Sequence, residues 1–232
     1  MKKFELTAEF VTNIFGKKLF RIKALVAFCD VEKGELGGFI EKEDNLSHSG
    51  DAWVSGDAQV YGNAQVYGNA QVSGDAWVYG DAQVYGDAWV SGNARVYGDA
   101  QVYGDAWVSG NAQVYGDARV YGNAQVYGNA QVYGDAWVSG DAWVSGDAWV
   151  SGNADYAVVT GFGHCFRATT FFRCKDKILR VQCGCFYGDL AKFREIVKKT
   201  HGDSKYAKEY LAIADLMELH FSDEEENQEA DK

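Results

Sequence analysis

Residues 50–73 read GDAWVS GDAQVY GNAQVY GNAQVS, and the same hexapeptide, Gly-Asp/Asn-Ala-x-Val-Ser/Tyr, continues without insertion to Ser151. Seventeen consecutive copies fill this stretch. Strict repetition at a short period is typical of a solenoid, in which each unit buries its apolar face against the next. Ala and Val are two residues apart in every copy, so a strand places both on one side and the residue between them on the other. We therefore predict that Ala and Val point inward and that residue x points outward.

A longer period in the last position of the hexapeptide indicates how many copies form one turn. Ser55, Ser73, Ser91 and Ser109 are eighteen residues apart, and tyrosines recur at the same spacing in two further columns. Three hexapeptides thus form one rung, which predicts a triangular prism of about six rungs. Gly tolerates a positive φ, and Asp or Asn can bond its own backbone, so these residues are expected at the corners.

The repeats resemble those of the hexapeptide-repeat left-handed β-helix family, whose members include acyltransferases and γ-class carbonic anhydrases. The left-handed sense is what this resemblance implies. In one detail the chain departs from the family, because Gly follows the aliphatic residue by two positions, as in Val60-Tyr61-Gly62, where the common pattern has one. The succession of residues 21–25, 36–40 and 45–47 before the repeats is more closely similar to uncharacterised phage and prophage proteins described as transferase-like. That similarity extends over nearly the whole chain and implies no established activity.

The segments that flank the repeats predict the rest of a mainly β protein. We expect four regions: an N-terminal β cap over residues 1–49, the parallel β-helix over 50–155, a small α+β domain over 156–221, and an acidic disordered tail over 222–232. In the cap, alternating apolar and polar residues predict a hairpin of Glu9–Phe15 and Leu19–Val26. His48 falls on a Val position and is interpreted as a cap residue that packs against the first rung.

The C-terminal domain shows a different period. Strands are expected over Tyr156–Phe162, Arg167–Cys174 and Ile178–Phe186, and helices over Leu190–Thr200 and Ser204–Phe221. Asp189 and Ser204 are suitable N-caps for the two helices, and Gly202 is a suitable stop for the first.

The outward positions fall into three columns, which we call faces 1, 2 and 3. Face 1 carries Trp53, Gln71, Trp89, Trp107, Gln125 and Trp143; face 2 carries Gln59, Trp77, Arg95, Gln113, Gln131 and Trp149; face 3 carries Gln65, Gln83, Gln101, Arg119, Trp137 and Asp155. All seven tryptophans are in these columns, and exposed aromatic strips mark interaction surfaces. The candidate partner-binding residues are Trp53, Trp89, Trp107 and Trp143, together with Trp77 and Trp149. The alternative, that stacked Trp and Gln only stabilise the outside of the solenoid, stays open.

The chemistry of the repeats favours binding over catalysis. Residues 50–151 contain no His, Cys, Lys or Glu and no inserted loop, whereas the resemblance implies a His with extruded loops for the acyltransferases and three His on zinc for the carbonic anhydrases. We therefore expect no catalytic residue and no cofactor. Eleven Asp stand against only Arg95 and Arg119, which disfavours direct binding of nucleic acid. Interchange of Asp with Asn favours a turn role, while a cation-binding ladder and a DNA-like charge array stay open.

The cysteines lie outside the repeats and are odd in number, which favours a reducing compartment over a disulfide framework. With His164, the cysteines Cys165, Cys174, Cys183 and Cys185 form the only metal-like group. Cys183 and Cys185 are expected on one strand face with Cys174 on the neighbouring strand, which makes His164, Cys174, Cys183 and Cys185 candidate zinc ligands. Zinc sites favour wider pairs than Cys-x-Cys, so small buried hydrophobes are the default interpretation. No apolar run reaches membrane-spanning length, so we expect a soluble, cytoplasmic protein without a membrane partner.

Three functional hypotheses follow from these patterns. The first is a non-enzymatic phage or prophage accessory protein that binds a protein of the bacterial host and inhibits a defence or regulatory protein; a homodimer or homotrimer is also considered. The second is a hexapeptide-transferase-like enzyme or ligand-binding module that acts as a homotrimer. The third is a DNA mimic, which predicts salt-sensitive binding to a nucleic-acid-binding protein.

Overall fold

The computed structural model describes residues 2–222 and divides the chain into two compact units, Met1–Asn153 and Ala154–Lys232. The first unit opens with β1 (Phe4–Thr12), β2 (Lys18–Ala24) and β3 (Leu36–Ile40), followed by a 3-10 turn at Glu43–Asn45. Seventeen two-residue strands follow, β4 to β20: Trp53–Val54, Gln59–Val60, Gln65–Val66, Gln71–Val72, Trp77–Val78, Gln83–Val84, Trp89–Val90, Arg95–Val96, Gln101–Val102, Trp107–Val108, Gln113–Val114, Arg119–Val120, Gln125–Val126, Gln131–Val132, Trp137–Val138, Trp143–Val144 and Trp149–Val150. The tail expected over residues 222–232 lies, apart from Ser222, outside the described residues.

The short strands form three parallel sheets, one on each face of the prism. Face 1 is built from β4, β7, β10, β13, β16 and β19; face 2 from β5, β8, β11, β14, β17 and β20; face 3 from β6, β9, β12, β15 and β18. Strands pair in register at the eighteen-residue spacing, as Val54 does with Val72. The predicted β-solenoid of about six turns is therefore confirmed. The left-handed sense implied by the family resemblance stays a prediction.

Alternation along each strand fills the interior with Ala and Val. Every Ala and Val of the repeats, from Ala52 to Val150, is at most 1% exposed. At the corners, two separate features require Gly. Gly98 has a φ of +72°, and a Cβ added to it would lie 3.0 Å from the backbone nitrogen of Gly116 on the next rung. The corner thus combines a left-handed conformation with a close approach of two backbones, and both exclude larger side chains.

The backbone ladder gives the solenoid a direction. Each rung donates N–H groups to the carbonyls of the following rung, as Arg95 N does to Ala112 O at 2.9 Å and Tyr97 N to Val114 O at 3.0 Å. The first rung therefore presents carbonyl oxygens that no earlier rung can satisfy. Buried carbonyls without donors are costly, so this end of the stack needs a cap that supplies N–H groups.

The N-terminal cap supplies these donors from backbone and side chains. Backbone N–H groups of Phe39, Glu41 and Ser47 donate to Ala58, Val60 and Val66 of the first rung at 2.9 to 3.0 Å. Asn45 Nδ2 bonds the carbonyls of Ala64 (2.8 Å) and Gly62 (3.2 Å), and Lys3 Nζ bonds those of Ala52 (2.7 Å) and Gly50 (3.1 Å). β3 links the two parts, because it pairs antiparallel with β2 and parallel with β5.

The cap hairpin differs in its limits from the predicted one. β1 starts at Phe4 and ends at Thr12, and β2 runs from Lys18, so the turn lies over residues 13–17. Asn13 begins this turn because its side-chain oxygen accepts hydrogen bonds from the amides of Phe15 and Lys17, both at 3.0 Å. This side-chain bonding, typical of Asn, ends the strand earlier than the alternation of apolar residues indicated.

The second unit is a four-stranded antiparallel sheet with two helices. Its elements are β21 (Tyr156–Val159), β22 (Thr169–Arg173), β23 (Leu179–Cys183), β24 (Phe186–Asp189), α1 (Leu190–His201) and α2 (Lys205–His220), and a 3-10 turn at Asn153–Asp155 precedes it. Asp189 caps α1 by accepting from Lys192 N at 2.8 Å, and Ser204 caps α2 by accepting from Ala207 N at 3.3 Å. The sheet has one strand more than expected, because Gly184 interrupts the stretch predicted as a single strand. No helix within residues 2–222 combines the length and apolar character needed to cross a membrane.

Candidate functional site

The most exposed aromatic pair of the solenoid lies on face 1. Trp89 and Trp107 are opposite each other on β10 and β13, and their side chains are 52% and 46% exposed. Their ring centroids are 6.4 Å apart with the planes at 68°. Trp107 is oriented by a hydrogen bond of 3.2 Å from its Nε1 to Ser91 Oγ. The two indoles therefore form one defined aromatic feature on the surface.

Trp53, at the start of the same column, does not belong to the exposed strip. It is only 2% exposed, and its ring meets the edge of Phe28 at a centroid distance of 5.4 Å. Gly37 leaves room for the indole, since an added Cβ there would lie 2.7 Å from Trp53 Cζ2. The expectation that Trp53 serves partner binding is wrong, because the cap covers it. The other candidates differ in exposure: Trp143 and Trp77 are half-buried, and Trp149 is exposed.

On faces 2 and 3, arginine side chains stack on tryptophan. The guanidinium carbon of Arg95 lies 4.9 Å from the ring centroid of Trp77, and that of Arg119 lies 4.9 Å from Trp137. Each pair is one rung apart in register, so the sheet itself sets the distance. Trp137 is 45% exposed and was not among the candidates. Its eighteen-residue separation from Arg119 was visible in the sequence and is the signal that would have identified this pair.

Stacked tyrosines form two of the corner columns and hold neighbouring rungs together. Ring centroids in these columns are 4.8 to 5.1 Å apart. Tyr97 OH also donates to Gln113 Oε1 at 3.3 Å, and burial raises the pKa of Tyr97 to about 12. Tyr97 is therefore a neutral phenol at physiological pH, and the stacked rings stabilise the contact between rungs. The alternative that outward Trp and Gln only stabilise the outside of the solenoid is supported for Gln113 by this hydrogen bond from Tyr97 and stays open for Trp.

The corner carboxylates and amides form ladders of their own. Asn63 Nδ2 donates to Asp81 Oδ1 and Asn69 Nδ2 to Asp87 Oδ1, both at 3.0 Å and one rung apart. Asn123 donates to Asp141 further along the second of these ladders, and Asn93, Asn111 and Asn129 form a third ladder that ends at Asp147. Asn is thus a donor between rungs as well as a corner former, and it interrupts the row of charges. A cation-binding ladder and a DNA-like array stay predictions.

The structure separates Cys183 from Cys185. β23 ends at Cys183, and Gly184, with a φ of +56°, turns the chain before Cys185. The two thiols therefore do not share a strand face, as the sequence had led us to expect. This correction follows from the left-handed conformation that Gly184 permits.

Cys174 is also distant from Cys183. It follows Arg173, which pairs with Leu179 at one end of the β22–β23 ladder, whereas Cys183 pairs with Thr169 at the other end. The remaining zinc candidate, His164, lies beside Cys165 and the ring of Tyr206. In the part of the chain that the structure describes, no three His, Cys, Asp or Glu side chains are close enough to hold a metal ion.

A group of polar and thiol side chains surrounds Tyr210 in the second unit. Thr169 Oγ1 donates to Cys183 Sγ at 3.2 Å, and Cys165 Sγ lies 3.6 Å from His164 Nδ1. Burial and, secondarily, the Cys183 thiol raise the pKa of Tyr210 to about 12. Tyr210 is itself part of the buried core of this unit. It therefore remains a neutral phenol at physiological pH and does not supply a base.

A groove of about 850 Å³ lies beside the first rung of face 3 and is lined by His48 and Glu43. His48 Nδ1 accepts a hydrogen bond of 3.1 Å from the backbone amide of Lys3, which leaves the proton on Nε2, 2.6 Å from Glu43 Oε1. Phe4 stacks on the imidazole at 4.3 Å. Both ring nitrogens are thus engaged within the cap, where His48 was expected to pack.

Comparison with known proteins supports the repeat class. Residues 64–146 match the YdcK beta solenoid repeat in overlapping segments: 64–80, 70–86, 82–98, 88–104, 100–113, 112–128, 124–140 and 130–146. These segments lie wholly within the solenoid and cover less than half of the chain. No curated protein matches the sequence. The similarity thus agrees with the observed β-solenoid and carries no activity with it.

Proposed function

We propose that the protein is a non-catalytic scaffold that binds a protein partner through face 1 of its solenoid. The observation that carries this proposal is the exposed pair of Trp89 and Trp107. Trp offers a large contact area with few rotatable bonds, and it is enriched among the residues that dominate binding energy in interfaces. Two such side chains in contact on one sheet provide the centre of a docking surface.

The sheet beneath these residues supports a rigid display. The amides of Trp89 and Trp107 donate to Ala106 O and Ala124 O, both at 2.9 Å, within a ladder that continues on either side. Gln71 and Gln125 occupy the neighbouring outward positions of the column. A rigid aromatic centre with polar neighbours is the usual composition of a protein interface.

The succession of residues 21–25, 36–40 and 45–47 before the repeats resembles phage and prophage proteins, and this resemblance supports a more specific form of the proposal. In that form the chain is a phage accessory protein in the host cytoplasm, and its partner is a host protein that it inhibits. The absence of His, Lys, Glu and Cys from residues 50–151 agrees with binding in place of catalysis on the solenoid.

The test is affinity capture with two matched double variants. Trp89→Gln/Trp107→Gln removes the pair while introducing the residue that the same column already carries at positions 71 and 125. Trp137→Gln/Trp149→Gln removes two indoles from the other faces. We expect the wild type and Trp137→Gln/Trp149→Gln to capture one protein in stoichiometric amount, and Trp89→Gln/Trp107→Gln to lose it. The purified partner should likewise bind the first two chains more tightly than the third. Equal retention by all three chains would refute the proposal, and recovery of only further copies of the chain would replace it with self-assembly.

A further inference from the structure

We infer that Trp89 and Trp107, with Asp87 and Asp105 beside them, bind an extended, arginine-bearing segment of the partner. This inference rests on the proposed docking role of face 1 and specifies the chemistry of what docks there. It is carried by the solenoid's own arginine–tryptophan pairs, by the charge around face 1 and by the spacing of the two indoles.

The first observation is that the solenoid already uses guanidinium groups to cover indoles. Arg95 lies over Trp77 and Arg119 over Trp137, each at 4.9 Å. Cations over the face of Trp are attracted by the ring quadrupole, and arginine adds planar stacking. Trp137 nevertheless keeps 45% of its surface exposed. Faces 2 and 3 thus each carry an indole that is covered by an arginine of the same chain.

The strands of face 1 carry no Lys or Arg that could cover Trp89 or Trp107 from a register-neighbouring position. The outward positions of this face hold only Trp and Gln, so the register neighbours of Trp89 are Gln71 and Trp107, and those of Trp107 are Trp89 and Gln125. A partner's side chain can therefore take the position that Arg95 and Arg119 occupy elsewhere. This difference between the faces is what makes face 1 selective for an external guanidinium.

The charge around the pair fits a cationic ligand. Asp87 and Asp105 are exposed and stand two residues before Trp89 and Trp107 at the preceding corner. Asn69 donates to one oxygen of Asp87, which leaves further acceptor sites on the carboxylate. Residues 50–153 carry eleven Asp and two Arg, so the field near the surface attracts cations and repels polyanions.

The spacing of the indoles fits alternate residues of an extended strand. Their centroids are 6.4 Å apart. Side chains at positions i and i+2 of an extended peptide lie about 6.4–6.8 Å apart, so a segment with the pattern Arg-x-Arg places one guanidinium near each ring. Because the ring planes differ by 68°, their faces point in different directions. A flexible segment accommodates this better than a rigid flat surface does.

The test uses short acetylated and amidated peptides of the pattern Ser-x-Thr-x-Ser, with Arg, Lys or Glu at both x positions. Affinity and the shifts of the indole Nε1–H signals are followed by NMR, with signals assigned from the Trp→Gln variants. We expect the Arg peptide to shift the signals of Trp89 and Trp107, and the Glu peptide to shift neither. Loss of two cation–π contacts in Trp89→Gln/Trp107→Gln should weaken the Arg peptide about fivefold to thirtyfold. The control Trp137→Gln/Trp149→Gln should change it less than about twofold.

Two further arms separate stacking from charge. The Lys peptide should bind more weakly than the Arg peptide, since an ammonium does not stack. Asp87→Asn/Asp105→Asn should weaken both cationic peptides and reduce their salt dependence. Equal affinity for Arg and Lys peptides, with no loss in Trp89→Gln/Trp107→Gln, would overturn the inference in favour of non-specific charge attraction.

Failure of the arginine inference can be distinguished from failure of the proposed docking role of face 1. A captured partner that needs Trp89 and Trp107 but tolerates replacement of its own arginines by lysine would leave the docking role intact and overturn the arginine inference. A partner that all variants capture equally would overturn the docking role itself.

Discussion

The ammonium nitrogen of Lys3 lies 2.7 Å from the carbonyl oxygen of Ala52 and donates a hydrogen bond to it. The same nitrogen bonds Gly50 O at 3.1 Å and lies 4.8 Å from the ring centroid of Phe28. Lys3 is buried although it carries a charge, because it satisfies two carbonyls that the first rung leaves without donors. One side chain therefore closes one corner of the solenoid.

Burial of Lys3 predicts a pH dependence of stability. Desolvation lowers its pKa from 10.5 to about 8, partly opposed by Asp51. Below about pH 8 the Lys3 side chain is protonated in both the folded and the unfolded chain. Between about pH 8 and 10.5 only the unfolded chain keeps this proton. The free energy of unfolding therefore rises with pH in that range. Lys3→Met lacks this contribution. We therefore expect the free energy of unfolding of the wild type, minus that of the variant, to increase from about pH 7.5 to about 9.5. Urea denaturation at each pH measures both values. A difference that stays constant across this range would contradict a lowered pKa.

The tyrosine columns predict two unequal substitutions at one position. The ring of Tyr97 lies 4.9 Å from both Tyr79 and Tyr115, and its hydroxyl bonds Gln113. Tyr97→Phe keeps both ring contacts and should lower the free energy of unfolding by about 0.5–1.5 kcal/mol. Tyr97→Ser introduces the residue that hexapeptides of the serine column carry at this position. It interrupts the tyrosine stack and removes buried apolar area, so we expect the free energy of unfolding to fall by about 2–4 kcal/mol. Thermal and urea unfolding measure both variants. Equal losses of stability in Tyr97→Phe and Tyr97→Ser would show that ring stacking contributes nothing.

The corner column that contains Asp99 predicts a stabilising substitution. Asp81, Asp99, Asp117 and Asp135 follow one another there, at the one-rung separation that Asn63 spans with a 3.0 Å bond to Asp81. Asp99→Asn removes one of four like charges and gives Asp117 an amide donor. We expect the free energy of unfolding to rise by about 0.5–1 kcal/mol at low salt, with a smaller gain at high salt.

The matched control for this substitution is Asp147→Asn, because Asp147 already accepts from Asn129 at 3.1 Å and no corner Asp follows it one rung further on. Replacing it exchanges a charge-assisted hydrogen bond for a neutral one, so no gain is expected there. A gain of the same size at both positions would mean that net charge alone, and not the ladder, limits stability.

The architecture of the solenoid could be predicted because its two periods are written in the sequence. The two-residue alternation places Ala52 and Val54 inside, and the eighteen-residue spacing places Arg119 beside Trp137. Both follow from local geometry repeated without insertion. The burial of Trp53 could not be predicted in this way, because it depends on Phe28, which reaches the indole through the fold of the cap.

The second unit shows the same division between local and distant determinants. The caps of its helices were predicted, since Asp189 and Ser204 act on amides three residues away. The zinc grouping was wrong because it depended on where Gly184 turned the chain and on the register of β22 against β23. A hydrophobic pattern does not show a positive φ at one glycine, and the turn made there contributes to the register of the strands on either side.

Trp53 and Trp89 occupy the same column and predict unequal responses to the same substitution. Trp53 is covered by the cap and packs on Phe28, whereas Trp89 is half exposed. Trp53→Gln should lower the free energy of unfolding by about 3–5 kcal/mol, because it empties a space that the cap encloses. Trp89→Gln should change it by less than about 1 kcal/mol, since Gln71 shows that the column accepts this residue. Urea unfolding of the two variants, followed by circular dichroism, measures both effects. Similar losses in the two variants would mean that the cap does not enclose Trp53 in solution, and the carbonyl donors supplied by Lys3 and Asn45 would then have to be reconsidered as well.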